Sequence, residues 1–97
     1  MSTLSWETLK EKGNEEYKKK SYQTAISLYS DAITIDPQQD ILYSNRALCL
    51  IAQNRQKQAI KDLNKCLSIN PKNIKAIKRL AMIELQLGNL GVKSLNK

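Results

Sequence analysis

The chain repeats itself every 34 residues, and this constrains its fold more than anything else in the sequence. Pro37 and Pro71 lie 34 residues apart, each closing a similar phrase, Asp-Ala-Ile-Thr-Ile-Asp-Pro and Lys-Cys-Leu-Ser-Ile-Asn-Pro. The same shift lays Ala25 on Ala59, Ile26 on Ile60, Ala32 on Cys66 and Ile35 on Ile69. It carries Leu9 to Tyr43 and then to Ile77, and Gly13 to Ala47 and then to Ala81, a small residue each time. A unit this short cannot bury an apolar face alone, so such units stack. A period of this length suits pairs of helices joined by turns.

Local signals agree with that reading. Leu9, Gly13 and Tyr17, then Tyr22, Ala25, Ile26, Tyr29, Ala32 and Ile33, follow helical spacing. Asp36-Pro37 and Asn70-Pro71 each offer a capping side chain followed by a proline suited to the first helical position. Lys20-Ser21, Asn54-Arg55 and Gly88-Asn89 mark the turn inside each unit. The pattern predicts an all-α domain over residues 1–97 in repeats 6–39, 40–73 and 74–97, the third incomplete. Helices are expected at about 5–19, 22–35, 38–53, 56–69 and 72–87, with a sixth starting near Leu90. That sixth is a poor continuation, because Lys93 falls where the earlier repeats have Ala25 and Ala59. A helical stack normally closes with a polar capping helix. The sequence is therefore read as a piece of a longer stack, with self-association through the uncapped third repeat as the alternative.

Composition narrows the function classes. The net charge of +7 is uneven: residues 1–48 hold six Lys/Arg against seven Asp/Glu, and residues 49–97 hold ten against two. A basic half favours an anionic partner, whether acidic peptide, nucleic acid or membrane surface. No interleaved aromatics or glycine-rich phosphate loop support nucleic acid, and no run is long or apolar enough to cross a bilayer. Cys49 and Cys66 stand alone and the chain has no histidine, so metal sites and histidine-based catalysis are not expected. With no nucleophile beside a base and no cofactor motif, an enzymatic role is not expected either. Cysteine usage and the charged N-terminal stretch from Trp6 to Lys20 fit a reducing, cytoplasmic setting without a signal peptide.

Leu9-Lys10-Glu11-Lys12-Gly13-Asn14, Tyr29, Ala32-Ile33, Asp36-Pro37, Leu42-Tyr43-Ser44-Asn45-Arg46 and Lys75-Ala76-Ile77-Lys78-Arg79 resemble the tetratricopeptide-repeat domains of chaperone adaptors. The resemblance covers about residues 5–90, nearly the whole chain. It implies a right-handed superhelix of antiparallel helix pairs, about two and a half repeats long. In that family a carboxylate clamp holds the C-terminal Glu-Glu-Val-Asp of the 70 and 90 kDa heat-shock chaperones. The resemblance places its five positions on Lys10, Asn14, Asn45, Lys75 and Arg79. Related repeats also occur in mitochondrial import receptors, and a generic scaffold for another acidic partner is the alternative.

The residues support such a cluster independently. Counting each repeat from Trp6, Asp40 and Ile74, Lys10 and Asn14 take positions 5 and 9, Asn45 position 6, and Lys75 and Arg79 positions 2 and 6. Positions 2, 5, 6 and 9 share one face of a helix, and stacking brings such faces side by side along a concave wall. A terminal aspartate carries two carboxylates, which three cations and two amide groups can hold between them. Leu48 and Met82, at position 9 of the later repeats, would line a groove for the ligand's apolar side chain.

Other residues are assigned to packing. Leu9, Tyr17, Tyr22, Ala25, Tyr29, Ala32, Ile33, Tyr43, Ala47, Ala59, Leu63, Leu67 and Ile77 are expected in the core, with Cys49 and Cys66 as buried thiols. Gly13, Ala47 and Ala81 are expected to permit close helix contact, and Trp6 to staple the first helix. Lys18-Lys19-Lys20 complements a helix C-terminus, while Arg55, Lys57, Lys61 and Lys65 form a solvated face.

Overall fold

Ser5 opens the first helix: its hydroxyl accepts the Thr8 amide at 3.1 Å and satisfies a donor that a helix N-terminus leaves unpaired. The computed structural model describes residues 4–89. They form α1 (Trp6–Lys18), α2 (Tyr22–Ile35), α3 (Asp40–Ala52), α4 (Gln56–Ile69) and α5 (Ile74–Asn89), with no strand among the described residues. Each helix packs on the next, and α3 also touches both α1 and α5. The odd-numbered helices therefore line up as one layer and α2 and α4 as the other, the arrangement expected of stacked helix pairs.

The turn inside each pair is the same in both complete repeats. After α1, Lys20 takes a left-handed conformation (φ 66°), with Lys20 N donating to Tyr17 O at 2.9 Å and Ser21 N to Glu16 O at 2.9 Å. After α3, Asn54 (φ 64°) repeats the pattern: Asn54 N donates to Ile51 O at 2.9 Å and Arg55 N to Leu50 O at 2.8 Å. Both are Schellman endings, which satisfy the last carbonyls of one helix while reversing the chain into the next. The third turn expected at Gly88-Asn89 differs, because α5 continues to Asn89. At Lys20 and Asn54 the reversal is held by an amide entering the following helix, and the helix expected near Leu90 lies outside the described residues.

The junctions between pairs also depart from expectation. Asp36 and Asn70 do not cap helices that begin at the prolines. Asp36 Oδ1 accepts Gln38 N and Asn70 Oδ1 accepts Lys72 N, each at 3.1 Å, closing short side-chain turns around Pro37 and Pro71. The helices start three residues later, at Asp40 and Ile74, where Asn73 caps α5 by accepting Ala76 N at 3.0 Å. Asp40 ties this junction to its own helix, accepting Asn70 Nδ2 at 3.0 Å and Asn73 Nδ2 at 2.7 Å. Burial raises its carboxyl pKa, but these amide donors outweigh that and hold it below the ordinary value.

Two apolar clusters hold the layers together. One gathers Leu9, Ala25, Tyr29, Ala32, Leu42 and Cys49, with Trp6, Tyr17, Tyr22 and Ile33 packed against it. The other gathers Tyr43, Ala47, Leu50, Ala59, Leu63, Cys66, Ala76 and Ile83, with Leu67 at its edge. Ile77 is the exception among the expected core residues, being 47% exposed, and Ala81 is exposed as well. In the earlier repeats the second helix of the pair covers these positions, and no second helix follows α5 among the described residues. Cys49 and Cys66 are buried free thiols.

One charged pair crosses between layers. Arg46 on α3 grips Asp62 on α4 with both arms, Nε to Oδ2 at 2.8 Å and Nη2 to Oδ1 at 2.7 Å, and Nη1 donates to Ser30 Oγ on α2 at 3.0 Å. Asp62 is only 7% exposed, so this fork joins three helices where an unpaired carboxylate would be costly.

Candidate functional site

The odd-numbered helices enclose a groove of about 270 Å³ lined by Asn14, Tyr17 and Lys18 of α1, Ile41, Asn45 and Leu48 of α3, and Lys75 and Arg79 of α5, with Tyr29 of α2 beneath. Three cations and two amides face it, and among the described residues no carboxylate lines it. Residues 65 positions apart in sequence meet here because Asn14, Asn45 and Arg79 each lie on the same face of the first helix of a repeat.

Hydrogen bonds fix the amides. Asn14 Oδ1 accepts the Tyr29 hydroxyl and, at 3.2 Å, Asn45 Nδ2. With both lone pairs of that oxygen engaged, Asn14 Nδ2 is left as a donor. Tyr29 can reach Asn14 because its ring lies directly on Gly13: a Cβ there would stand 2.6 Å from Tyr29 Cε1. Burial, foremost, raises the Tyr29 phenol well above its ordinary pKa, keeping it a proton donor.

Arg79 is anchored in the same way. Its Nη1 donates to the Ser44 carbonyl at 2.9 Å and to Ser44 Oγ at 2.5 Å, and Ser44 is 1% exposed. Burial draws the Arg79 guanidinium below its usual pKa, yet a guanidinium stays charged at neutral pH, and among the described residues no hydrogen bond engages its Nε or Nη2. Lys75 is exposed at the groove edge.

Five of the seven residues singled out from the sequence thus come together: Asn14, Asn45, Leu48, Lys75 and Arg79. Lys10 stands off the groove, with its Nζ 5.6 Å from the centroid of the Trp6 ring. Met82 is 49% exposed and is not among the lining residues. Sequence reasoning missed the groove positions of Lys18 and Ile41 and assigned Tyr17 and Tyr29 to packing alone. Ile41 shares position 2 with Lys75, and Lys18 lies four residues beyond Asn14 on the same face, so the helical register held the signal for both.

Among the described residues, no three His, Cys, Asp or Glu side chains gather as a metal site, and no helix is long and apolar enough to cross a membrane. Burial pushes both thiols, Cys49 and Cys66, up to about 11, so neither is a nucleophile at neutral pH. The arrangement is chemically suited to holding carboxylates.

Comparison with known proteins agrees with this architecture. Residues 41–73 match the family model described as tetratricopeptide repeat. The Hsp70/Hsp90 co-chaperone CNS1 of Saccharomyces cerevisiae is 36% identical over 88 residues, covering 87% of this chain and 23% of that protein. The Arabidopsis OM64 TPR domain superposes with a TM-score of 0.82 at 33% identity, covering 87% of this chain and 69% of the domain. The first TPR of Spaghetti (RPAP3), bound to the HSP90 peptide SRMEEVD, superposes with a TM-score of 0.84 at 29% identity, covering 93% of this chain and 73% of that one. The chain spans 14% of the length of one curated relative it matches and 23% of another.

Proposed function

The chain belongs to the tetratricopeptide-repeat family, and from that premise we propose that it is a co-chaperone adaptor holding the C-terminal Glu-Glu-Val-Asp of the 90 or 70 kDa heat-shock chaperones. It acts by binding rather than by catalysis, and the reading places it in the cytoplasm with those chaperones.

The observation that carries the reading is a groove with three cations, two amides and, among the described residues, no carboxylate, in which Asn14, Asn45 and Arg79 are already oriented by hydrogen bonds. A C-terminal aspartate brings two carboxylates to one point. Asn14 Nδ2 and the free amide hydrogen of Asn45 meet one of them, and Lys75 and the outward nitrogens of Arg79 meet the other. Lys10, one turn before Asn14, completes the set by swinging from the Trp6 ring onto the terminal carboxylate. Leu48 and Ile41 offer the penultimate valine an apolar wall. The solved neighbour holding a peptide that ends in Glu-Glu-Val-Asp supports the same ligand for a groove of this architecture.

Each charge-assisted hydrogen bond contributes roughly 1.5–3 kcal/mol. Several together, less the cost of ordering an extended peptide, correspond to an affinity on the order of micromolar. Because Arg79 and Ser44 are held in the free chain, part of that ordering is already done.

Titration with a fluorescent Met-Glu-Glu-Val-Asp peptide tests the reading. Lys10→Ala, Lys75→Ala and Arg79→Ala should each weaken binding at least about ten-fold with the helical circular-dichroism signal retained. Affinity should also fall as salt rises. Binding that ignores all three substitutions would remove the clamp and leave a helical scaffold with another partner.

A further inference from the structure

We propose that a second cavity, between α2, α3 and α4, is a docking site for an acidic peptide segment that carries an apolar side chain. The site goes beyond the clamp and does not depend on it, because the two cavities share no lining residue.

The second cavity measures about 340 Å³, against about 270 Å³ for the groove. Ile26 of α2 and Leu50 of α3 give it an apolar wall, and Arg46, Arg55 and Lys61 set three cations against the single carboxylate of Asp62. Arg46 already holds Asp62 with both arms, so those two charges cancel and the remaining charge is that of Arg55 and Lys61. An aliphatic side chain matches the wall, and carboxylates match the two cations.

Arg55 is presented rather than neutralised. Its Nε donates to Gln58 Oε1 and its Nη1 to Gln53 Oε1, each at 2.6 Å, and both acceptors are uncharged. Among the described residues no hydrogen bond engages its Nη2, and no ion pair or side-chain hydrogen bond engages Lys61, which is exposed. Arg55 is the N-cap residue of α4, and Lys61 follows about 9 Å along the helix axis. Lys57 and Lys65, one turn to either side of Lys61, extend the positive stripe and steer an acidic segment towards the cavity. Nucleic acid fits less well: among the described residues no aromatic ring lines the cavity for a base to stack on, and Asp62 stands in its wall.

The test uses a labelled Glu-Ser-Leu-Ser-Glu peptide, acetylated and amidated so that it offers the clamp no terminal carboxylate. In an extended chain its two carboxylates and its leucine face the same way. Titration followed by backbone amide chemical shifts should move Ile26, Leu50, Gln58 and Lys61 and leave Asn14 and Asn45 in place. By anisotropy, Arg55→Gln and Lys61→Gln should each weaken binding roughly two- to five-fold, as for exposed ion pairs. Exchanging the peptide's leucine for serine should weaken it at least about ten-fold. Lys72→Gln, at an exposed lysine outside both cavities, should have no effect, and Met-Glu-Glu-Val-Asp binding should be the same in all three variants. Four results overturn the site: no binding, shifts confined to the groove, an equal loss in Lys72→Gln, or tighter binding of a ten-nucleotide single strand than of the peptide. None of them bears on capture of a free C-terminus by the clamp.

Discussion

The ring of Tyr29 lies on the backbone of Gly13, and the hydroxyl at the far end of that ring holds the Asn14 amide in the groove. Packing and binding are joined at this contact, because the residue that allows the close approach is adjacent to the one that it orients. Gly13→Ala should therefore separate the two. Alanine favours the helix by about 1 kcal/mol over glycine, and displacing the ring costs about 1–3 kcal/mol. Stability in urea should fall by at most about 2 kcal/mol, the difference of those two terms, while peptide affinity falls several-fold. Tyr29→Phe, which keeps the ring and removes the hydroxyl, should weaken the peptide similarly. Parental affinity in both variants would show that Asn14 needs no such support.

Ser44 does for Arg79 what Tyr29 does for Asn14. Removing its hydroxyl in Ser44→Ala leaves the carbonyl contact but loosens the guanidinium. Calorimetric titration should show weaker peptide binding by about 1 kcal/mol, the net value of a hydrogen bond, with a less favourable entropy as Arg79 becomes ordered only on binding. An unchanged entropy would mean that the remaining bond suffices.

The Arg46–Asp62 fork lies outside the groove lining and joins α3 to α4. Asp62→Ala should lower stability by about 1–3 kcal/mol, less than a fully buried pair because the Arg46 side chain is 24% exposed. Peptide affinity measured well below the melting temperature should be unaffected. A variant that folds as before but loses the peptide would contradict this division of labour.

The two thiols predict a pH dependence. Burial raises both to about 11, above the ordinary thiol value of about 8.5. A raised folded pKa means that the native state binds the proton more tightly, so this contribution is complete below about pH 8.5 and is lost as pH climbs towards 11. The denaturation midpoint should fall over that window more steeply for the parent than for the Cys49→Ala/Cys66→Ala double variant. At pH 8 a thiol-specific label should reach neither cysteine until denaturant unfolds the chain. Prompt labelling of the folded chain would contradict the burial argument.

What the sequence showed, and what it hid, divides along physical lines. The period of 34 and the small residues at Gly13 and Ala47 placed the helix pairs, since stacking demands the same spacing and close approach in each repeat. Tyr22–Ile35 and Gln56–Ile69 were legible to the residue. The starts of α3 and α5 were not: Asp36 and Asn70 can cap a helix or close a turn with the same side chain, and the choice depends on backbone geometry. Ile77 was assigned to the core because the register of Leu9 and Tyr43 implies a covering helix, which does not follow α5 among the described residues. In the groove, the register gave Asn14, Asn45, Lys75 and Arg79 but not their supports. Tyr29 and Ser44 come from other faces or other repeats, and only the packed structure shows that each holds a groove residue in place.

The central claim is that the groove reads a free C-terminal carboxylate. Its most direct test is titration with a labelled Met-Glu-Glu-Val-Asp peptide beside the same peptide amidated at its C-terminus. The account predicts that the free acid binds at micromolar concentration and that amidation abolishes binding, because Asn14, Asn45 and Lys10 then face a neutral group. Equal binding of the two peptides would contradict it.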